Sequence, residues 1–228
     1  MAAELTGPRL APRSRGPARQ LVIFLHGYGA DGNDLIELGR AWQNLLPDAA
    51  FLSPHAPEPC AQSPTGRQWF PLTFREKNER WMGVNKAAPI LEAFLDAELK
   101  GRSLPPSSLA LVGFSQGTMM ALHVGLRRSI APLAIVGYSG LLVVPSEGDV
   151  TKVAPEIRSR PPILLVHGDR DDLIPVEALF LASSGLAALE IPVEWHLSAG
   201  IGHGIDQEGL RHGGEFLSRT ITRASLAR

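Results

Sequence analysis

Four runs in this chain are apolar at every position and are followed within two residues by glycine: Leu21–Leu25, Leu109–Val112, Leu133–Val136 and Ile163–Val166. A strand with one wet face alternates polar and apolar residues. A run with no polar position has to be buried on both faces, as in a parallel sheet covered on two sides. Ala50–Leu52 and Val193–Leu197 read as two further strands. Between the runs the apolar period becomes helical. Asp34–Leu46 sets Leu35, Leu38, Trp42, Leu45 and Leu46 on one face, and Ile90–Leu99 does the same with Ile90, Leu91, Phe94, Leu95 and Leu99. Gln116–Arg128, Pro175–Leu189 and Gln207–Ile221 read as helices, and Pro175 suits a first turn. This alternation predicts an α/β fold, a mostly parallel central sheet with helices on both faces. No repeat or linker divides residues 21–228, which are expected to form a single domain. Residues 1–20, with Arg9, Arg13, Arg15 and Arg19 among Gly, Pro and Ala, read as an arm or short edge strand.

In such a sheet, sites form where strands end. The strand Leu109–Val112 ends in Gly113-Phe-Ser115-Gln-Gly117, the G-x-S-x-G of a nucleophile elbow. A serine there sits on a strained strand-to-helix turn. Side chains two residues to either side would collide with that turn, so glycine is needed at 113 and 117. A serine hydroxyl needs a base, and His203, between Gly202 and Gly204 after the last strand, is placed to supply one. His26 and His167, each before a glycine at a strand end, read as braces for their loops. The imidazole needs a carboxylate to fix its tautomer. Three compete after Ile163–Val166. Asp171, at the loop apex, is preferred. Asp169 is expected to tie the loop backbone and Asp172 to help start the next helix. The order Ser115, Asp171, His203 is that of an α/β-hydrolase. An oxyanion also needs two donors. The backbone N–H of Gln116 is one, and Tyr28, in the loop after Leu21–Leu25, is the candidate for the other.

That loop holds a decoy. Gly27-Tyr-Gly29-Ala-Asp-Gly32 is a literal G-x-G-x-x-G between strand and helix. A dinucleotide fold also needs an acidic residue at the tip of the second strand, where this chain has Leu52-Ser-Pro-His55. His26, His55 and Cys60 lack zinc-ligand spacing. Neither cofactor nor metal is expected.

The segments Leu25-His-Gly-Tyr-Gly29, Gly113-Phe-Ser-Gln-Gly117, His167-Gly-Asp-Arg-Asp-Asp-Leu-Ile-Pro175 and Gly202-His203 together resemble the phospholipase/carboxylesterase family of α/β-hydrolases. That family includes bacterial carboxylesterases and acyl-protein thioesterases, and the resemblance runs from about residue 20 to the C-terminus. It implies an α/β-hydrolase fold, Ser115 as nucleophile, Asp171 as acid, His203 as base, and oxyanion donors at Tyr28 and Gln116. Tyr28 stands where other members often have leucine, which leaves a backbone role intact but reshapes the pocket mouth. Trp69-Phe70 matches the family's W-F pair beside the acyl pocket, which makes these two the expected substrate-binding residues. The weakly periodic segment Pro54–Arg80, with Trp69, Phe70 and Phe74 and then Trp81, is expected to wall the acyl site.

The expected activity is therefore that of a serine carboxylesterase on small to medium acyl esters. A thioesterase or lysophospholipase would use the same triad, and a non-catalytic binding module is the remote alternative. Composition agrees. In 228 residues, 22 basic and 23 acidic side chains leave a net charge of -1, no footprint for nucleic acid or an anionic membrane. No apolar run is long enough to span a bilayer, and no signal-peptide core is visible. The single cysteine, Cys60, permits no internal disulfide. A cytoplasmic enzyme with a small-molecule ester substrate is expected, and a homodimer is left open.

Overall fold

The computed structural model describes residues 5–73, 76, 78–145 and 148–226; Phe74 lies outside them. In chain order the elements are β1 (Arg9–Leu10), β2 (Gln20–Leu25), α1 (Gly32–Trp42), β3 (Ala49–Leu52), β4 (Glu58–Pro59), β5 (Arg67–Gln68) and α2 (Glu79–Gly101). They continue with β6 (Leu109–Phe114), α3 (Gln116–Arg127), β7 (Ala134–Tyr138), β8 (Ile163–Gly168), α4 (Glu177–Ala188), β9 (Val193–Ser198) and α5 (Gln207–Leu226). The main sheet has the order β1-β3-β2-β6-β7-β8-β9. Every pairing from β3 to β9 is parallel; only β1 runs antiparallel, against β3. Part of the N-terminal segment is thus an edge strand, Arg9 facing Leu52 and Leu10 facing Phe51.

Alternation along each strand explains the uninterrupted apolar runs. Leu21, Ile23, Leu25, Leu109, Leu111, Ile135, Ile163 and Leu165 point to one face, where α2, α3 and α4 cover them. Val22, Phe24, Ala110, Val112, Val136, Leu164 and Val166 point to the other, under α1 and α5. On that second face Phe24 stacks on Phe51 with ring centroids 6.0 Å apart and meets Trp42 at 5.8 Å.

Two departures from the sequence expectation have local causes. Helix α2 starts at Glu79 rather than near Ile90 and runs through Pro89. Pro89 lies on the exposed face, where the carbonyl it leaves without a donor is on the wet side. The buried stripe Val84, Ala87, Leu91, Phe94 continues across it. Within residues 54–80, β4 and β5 pair as a small antiparallel hairpin, too short to give a periodic signal. No helix among the described residues is long and apolar enough to cross a membrane.

Phe24→Ala removes the ring that joins α1 to the sheet. It should cost about 3–5 kcal/mol of unfolding free energy. Urea titration should show a lowered midpoint with an unchanged slope. A loss near zero would mean that Trp42 and Phe51 close the gap unaided.

Candidate active site

Strand β6 is central in the sheet, and Ser115 lies between its last residue and the first of α3. Its backbone has φ 54° and ψ −114°, a strained conformation for a non-glycine residue. Hydrogen bonds hold it there. Ser115 N donates to Tyr138 O at 2.9 Å, and Thr118 N donates to Ser115 O at 3.0 Å. The flanking glycines are sterically required. A Cβ at Gly117 would lie 1.7 Å from Leu25 O, and one at Gly113 would lie 2.4 Å from Thr118 N.

The loops after β8 and β9 bring a carboxylate and an imidazole together. Asp171 Oδ2 accepts from His203 Nδ1 at 2.7 Å. The Asp171 side chain is fully buried and that of His203 is 14% exposed. The other carboxylate oxygen, Oδ1, accepts from Leu173 N at 3.0 Å and Ile174 N at 2.8 Å, which fixes the plane of the group. His167 Nε2 lies 3.2 Å from Oδ2 and 2.8 Å from Ile174 O, so this histidine braces the same loop. Since Nδ1 of His203 is the donor, Nε2 is left with its lone pair. The His203 ring packs on Phe114, the residue before Ser115, with centroids 5.0 Å apart. The neighbouring aspartates have other places. Asp169 accepts from Gly200 N at 2.6 Å and ties the two loops. Asp172 is exposed, and α4 starts at Glu177 without a side-chain cap, so Asp172 does not start that helix. Of the positions two and three residues beyond Asp172, the Ile174 N–H is held by Asp171 and Pro175 has no N–H.

The loop after β2 passes beside Ser115: a Cβ on Gly27 would lie 3.0 Å from the Phe114 ring and 3.4 Å from Ser115 Cβ. His26 is fully buried and fixes this loop through both ring nitrogens. Its Nδ1 donates to Gly27 O at 2.8 Å and its Nε2 accepts from Ala56 N at 2.9 Å. A trans peptide points its N–H opposite its C=O, so holding Gly27 O also orients the N–H of Tyr28. Among the described residues, the backbone N–H groups of Tyr28 and Gln116 donate no hydrogen bond. The hairpin secures the loop from outside. Gly29 N donates to Arg67 O at 2.9 Å and Arg67 N to Ala30 O at 2.7 Å. The Arg67 guanidinium reaches Ala56 O and Pro57 O at 2.8 and 2.7 Å.

Trp69 and Phe70 are 1% and 0% exposed and belong to the core cluster. Sequence reasoning missed two residues beside them, the Gln116 side chain and Arg67. The Gln116 amide brackets the 69–70 backbone; Gln116 occupies a variable position of G-x-S-x-G, and Arg67 belongs to no motif. Beyond Gly140, where a Cβ would lie 3.0 Å from Ser115 O, Leu141 and Leu142 open an apolar cavity of about 440 Å3. Val144, Val150, Ala178 and Leu181 are among the other residues of its walls.

The chain is matched over residues 11–221 by the model of a family described as phospholipase/carboxylesterase. The crystal structure of esterase PE8 superposes with a TM-score of 0.90 at 43% identity, over 96% of this chain and 100% of that one. Esterase YpfH of Escherichia coli is 27% identical over 209 residues, 91% of this chain and 85% of that protein. Acyl-protein thioesterase 1 of Schizosaccharomyces pombe is 32% identical over 161 residues, 68% of this chain and 69% of that one.

Burial pushes His26 from its ordinary 6.5 down to about 4. It pushes His123, packed on Trp81 at 5.7 Å, down to about 3, with Arg127 adding to the effect. Between the ordinary value and these, the unfolded chain takes up protons that the folded chain refuses. Their contribution is complete above 6.5 and is lost as pH falls toward the folded values, at roughly 1.4 kcal/mol per pH unit for each ring. His123→Leu removes one of the two. Within that window its unfolding free energy should gain on the parent by about 1.4 kcal/mol per pH unit of acidification, read by urea titration at several pH values. A pH-independent difference would contradict a buried neutral His123.

Proposed function

The chain belongs to the phospholipase/carboxylesterase family of α/β-hydrolases, and from that premise we propose that it is a serine carboxylesterase acting through Ser115, His203 and Asp171. The observation that carries this reading is the 2.7 Å His203–Asp171 hydrogen bond, with the imidazole packed against the residue that precedes the strained Ser115. Ser115 Oγ attacks the ester carbonyl while His203 Nε2 takes its proton. The tetrahedral oxyanion is met by the N–H groups of Tyr28 and Gln116, which have no other acceptor among the described residues. The intermediate collapses, His203 returns the proton to the leaving alcohol, and an acyl-enzyme remains. Water, activated by the same imidazole, then releases the acid. Asp171 keeps the Nδ1–H tautomer and stabilises the imidazolium without itself taking a proton.

The acyl chain is assigned to the apolar cavity of Leu141, Leu142, Val150 and Ala178, which has room for a medium-length chain. The enzyme is assigned to the cytoplasm, in keeping with its one buried free thiol, Cys60. A thioester substrate is the second reading, favoured by the 32% identity to an acyl-protein thioesterase.

Ser115→Ala should reduce p-nitrophenyl ester hydrolysis to the buffer background, and a fluorophosphonate should add to Ser115 in the parent by peptide mass. Turnover that survives the substitution would remove Ser115 from the mechanism. Asp171→Asn should lower kcat by roughly 10^3–10^4-fold with KM little changed. For the acyl site, Ala178→Trp should cut kcat/KM for the octanoate ester about tenfold against the acetate, or about 1.4 kcal/mol of selectivity. A uniform change across chain lengths would place the acyl group elsewhere. Running oxoesters, thioesters and acyl peptides of matched length decides between the two substrate classes.

A further inference from the structure

The two proposed oxyanion donors belong to different elements. Tyr28 N–H is in the loop after β2, and Gln116 N–H opens α3. Both must face one oxygen, so something has to set the spacing between the loop and the helix. Trp69 touches both sides with its two N–H groups. Its backbone N donates to Gln116 Oε1 at 2.9 Å, and its indole Nε1 donates to His26 O at 3.0 Å. Gln116 Nε2 completes the bracket by donating to Phe70 O at 2.8 Å. The indole also lies against the His26 ring, with centroids 5.8 Å apart.

We propose that Trp69 is a positioning residue that couples the two halves of the oxyanion hole. The proposal rests on the reading of Ser115 as nucleophile. One rigid residue spans the gap, and its indole cannot shift without releasing His26 O. His26 O lies one peptide before Gly27 O, the carbonyl whose direction sets the Tyr28 N–H. Trp69, His26 and Gln116 are each at most 1% exposed, so water cannot replace a lost bond. A wall for an acyl chain would need its apolar faces open to ligand. Here both N–H groups of Trp69 are committed, and the residue is 1% exposed within the core cluster.

The test is Trp69→Phe, which keeps the aromatic ring and the backbone N–H and deletes the indole donor. Hydrolysis of p-nitrophenyl acetate, butyrate and octanoate is compared with that of the matching thionoesters. An oxyanion hole favours oxygen over sulfur, because sulfur accepts hydrogen bonds poorly. The expected result is a fall in kcat of about tenfold to hundredfold, equal for all three chain lengths and with KM within about twofold. The oxo-to-thiono rate ratio should fall in step, while the pH profile set by His203 stays in place. Lower rates with an unchanged oxo-to-thiono ratio would reduce Trp69 to a structural role and overturn the proposal. A loss confined to the longer esters would overturn it in favour of an acyl wall, and an unchanged kcat would overturn it outright. Failure of the underlying reading is distinct: the parent itself would then give no fluorophosphonate adduct at Ser115.

Discussion

The first turn of α3 rests directly on the end of β2, so closely that any Cβ at Gly117 would penetrate the carbonyl of Leu25. Everything at the site follows from that approach. It brings the start of the helix beside the loop that carries Gly27 and Tyr28. It also forces Ser115 into a sharp turn, because the chain must leave β6 and enter α3 without room to spread. A residue held at positive φ costs of order 1–3 kcal/mol. The surroundings offset this: β7 accepts the Ser115 N–H through Tyr138 O, and the Thr118 hydroxyl donates to the same carbonyl. Relaxation of the strained residue would therefore break its hydrogen bond to β7 and those that open α3.

Three buried polar side chains near the site are matched in the same way. His26 uses both ring nitrogens, the Asp171 carboxylate is met on both oxygens, and the Gln116 amide uses both its ends. In an environment of low polarity an unmatched group costs about 1–3 kcal/mol, so each bond fixes an orientation as well as a distance. The result is a set of dipoles aimed before any substrate arrives, the condition under which they act on a developing charge without reorganising.

The parallel sheet was legible because its central strands are buried on two faces and have almost no polar position to confuse the period. The placement of Ser115, Asp171 and His203 was legible because each lies in a loop just beyond a strand, Ser115 and His203 among glycines. Strand β1 and the β4–β5 hairpin have only two residues per strand and show no period at all. The first turns of α2 were hidden by Pro89, which reads as a boundary but lies on the wet face. Asp172 was misassigned because a short aspartate run does not reveal which member turns inward. Asp171 Oδ1 takes the N–H groups two and three residues on, and the rest of the run stays in solvent. Least legible were Arg67 and the Gln116 side chain. Their side chains bond backbone atoms, those of Trp69 and Phe70 for Gln116 and of Ala56 and Pro57 for Arg67, and backbone partners carry no residue signature.

The two sides of the site are built from different material. The loop after β2, the hairpin, Trp69 and the start of α3 form a layer of buried backbone joined by hydrogen bonds. Beyond Gly140, the cavity walls are mostly apolar side chains from the segment after β7 and from α4, with Leu181 largely exposed. Apolar walls exchange volume at modest cost, because they carry no partner that a substitution would orphan. Hydrogen-bonded backbone does not tolerate such exchange. In the proposed enzyme the chemistry therefore lies on the side that resists change and the choice of acyl group on the side that accepts it. Ser115 is fixed by the first, and Gly140, packed on its carbonyl, leads into the second.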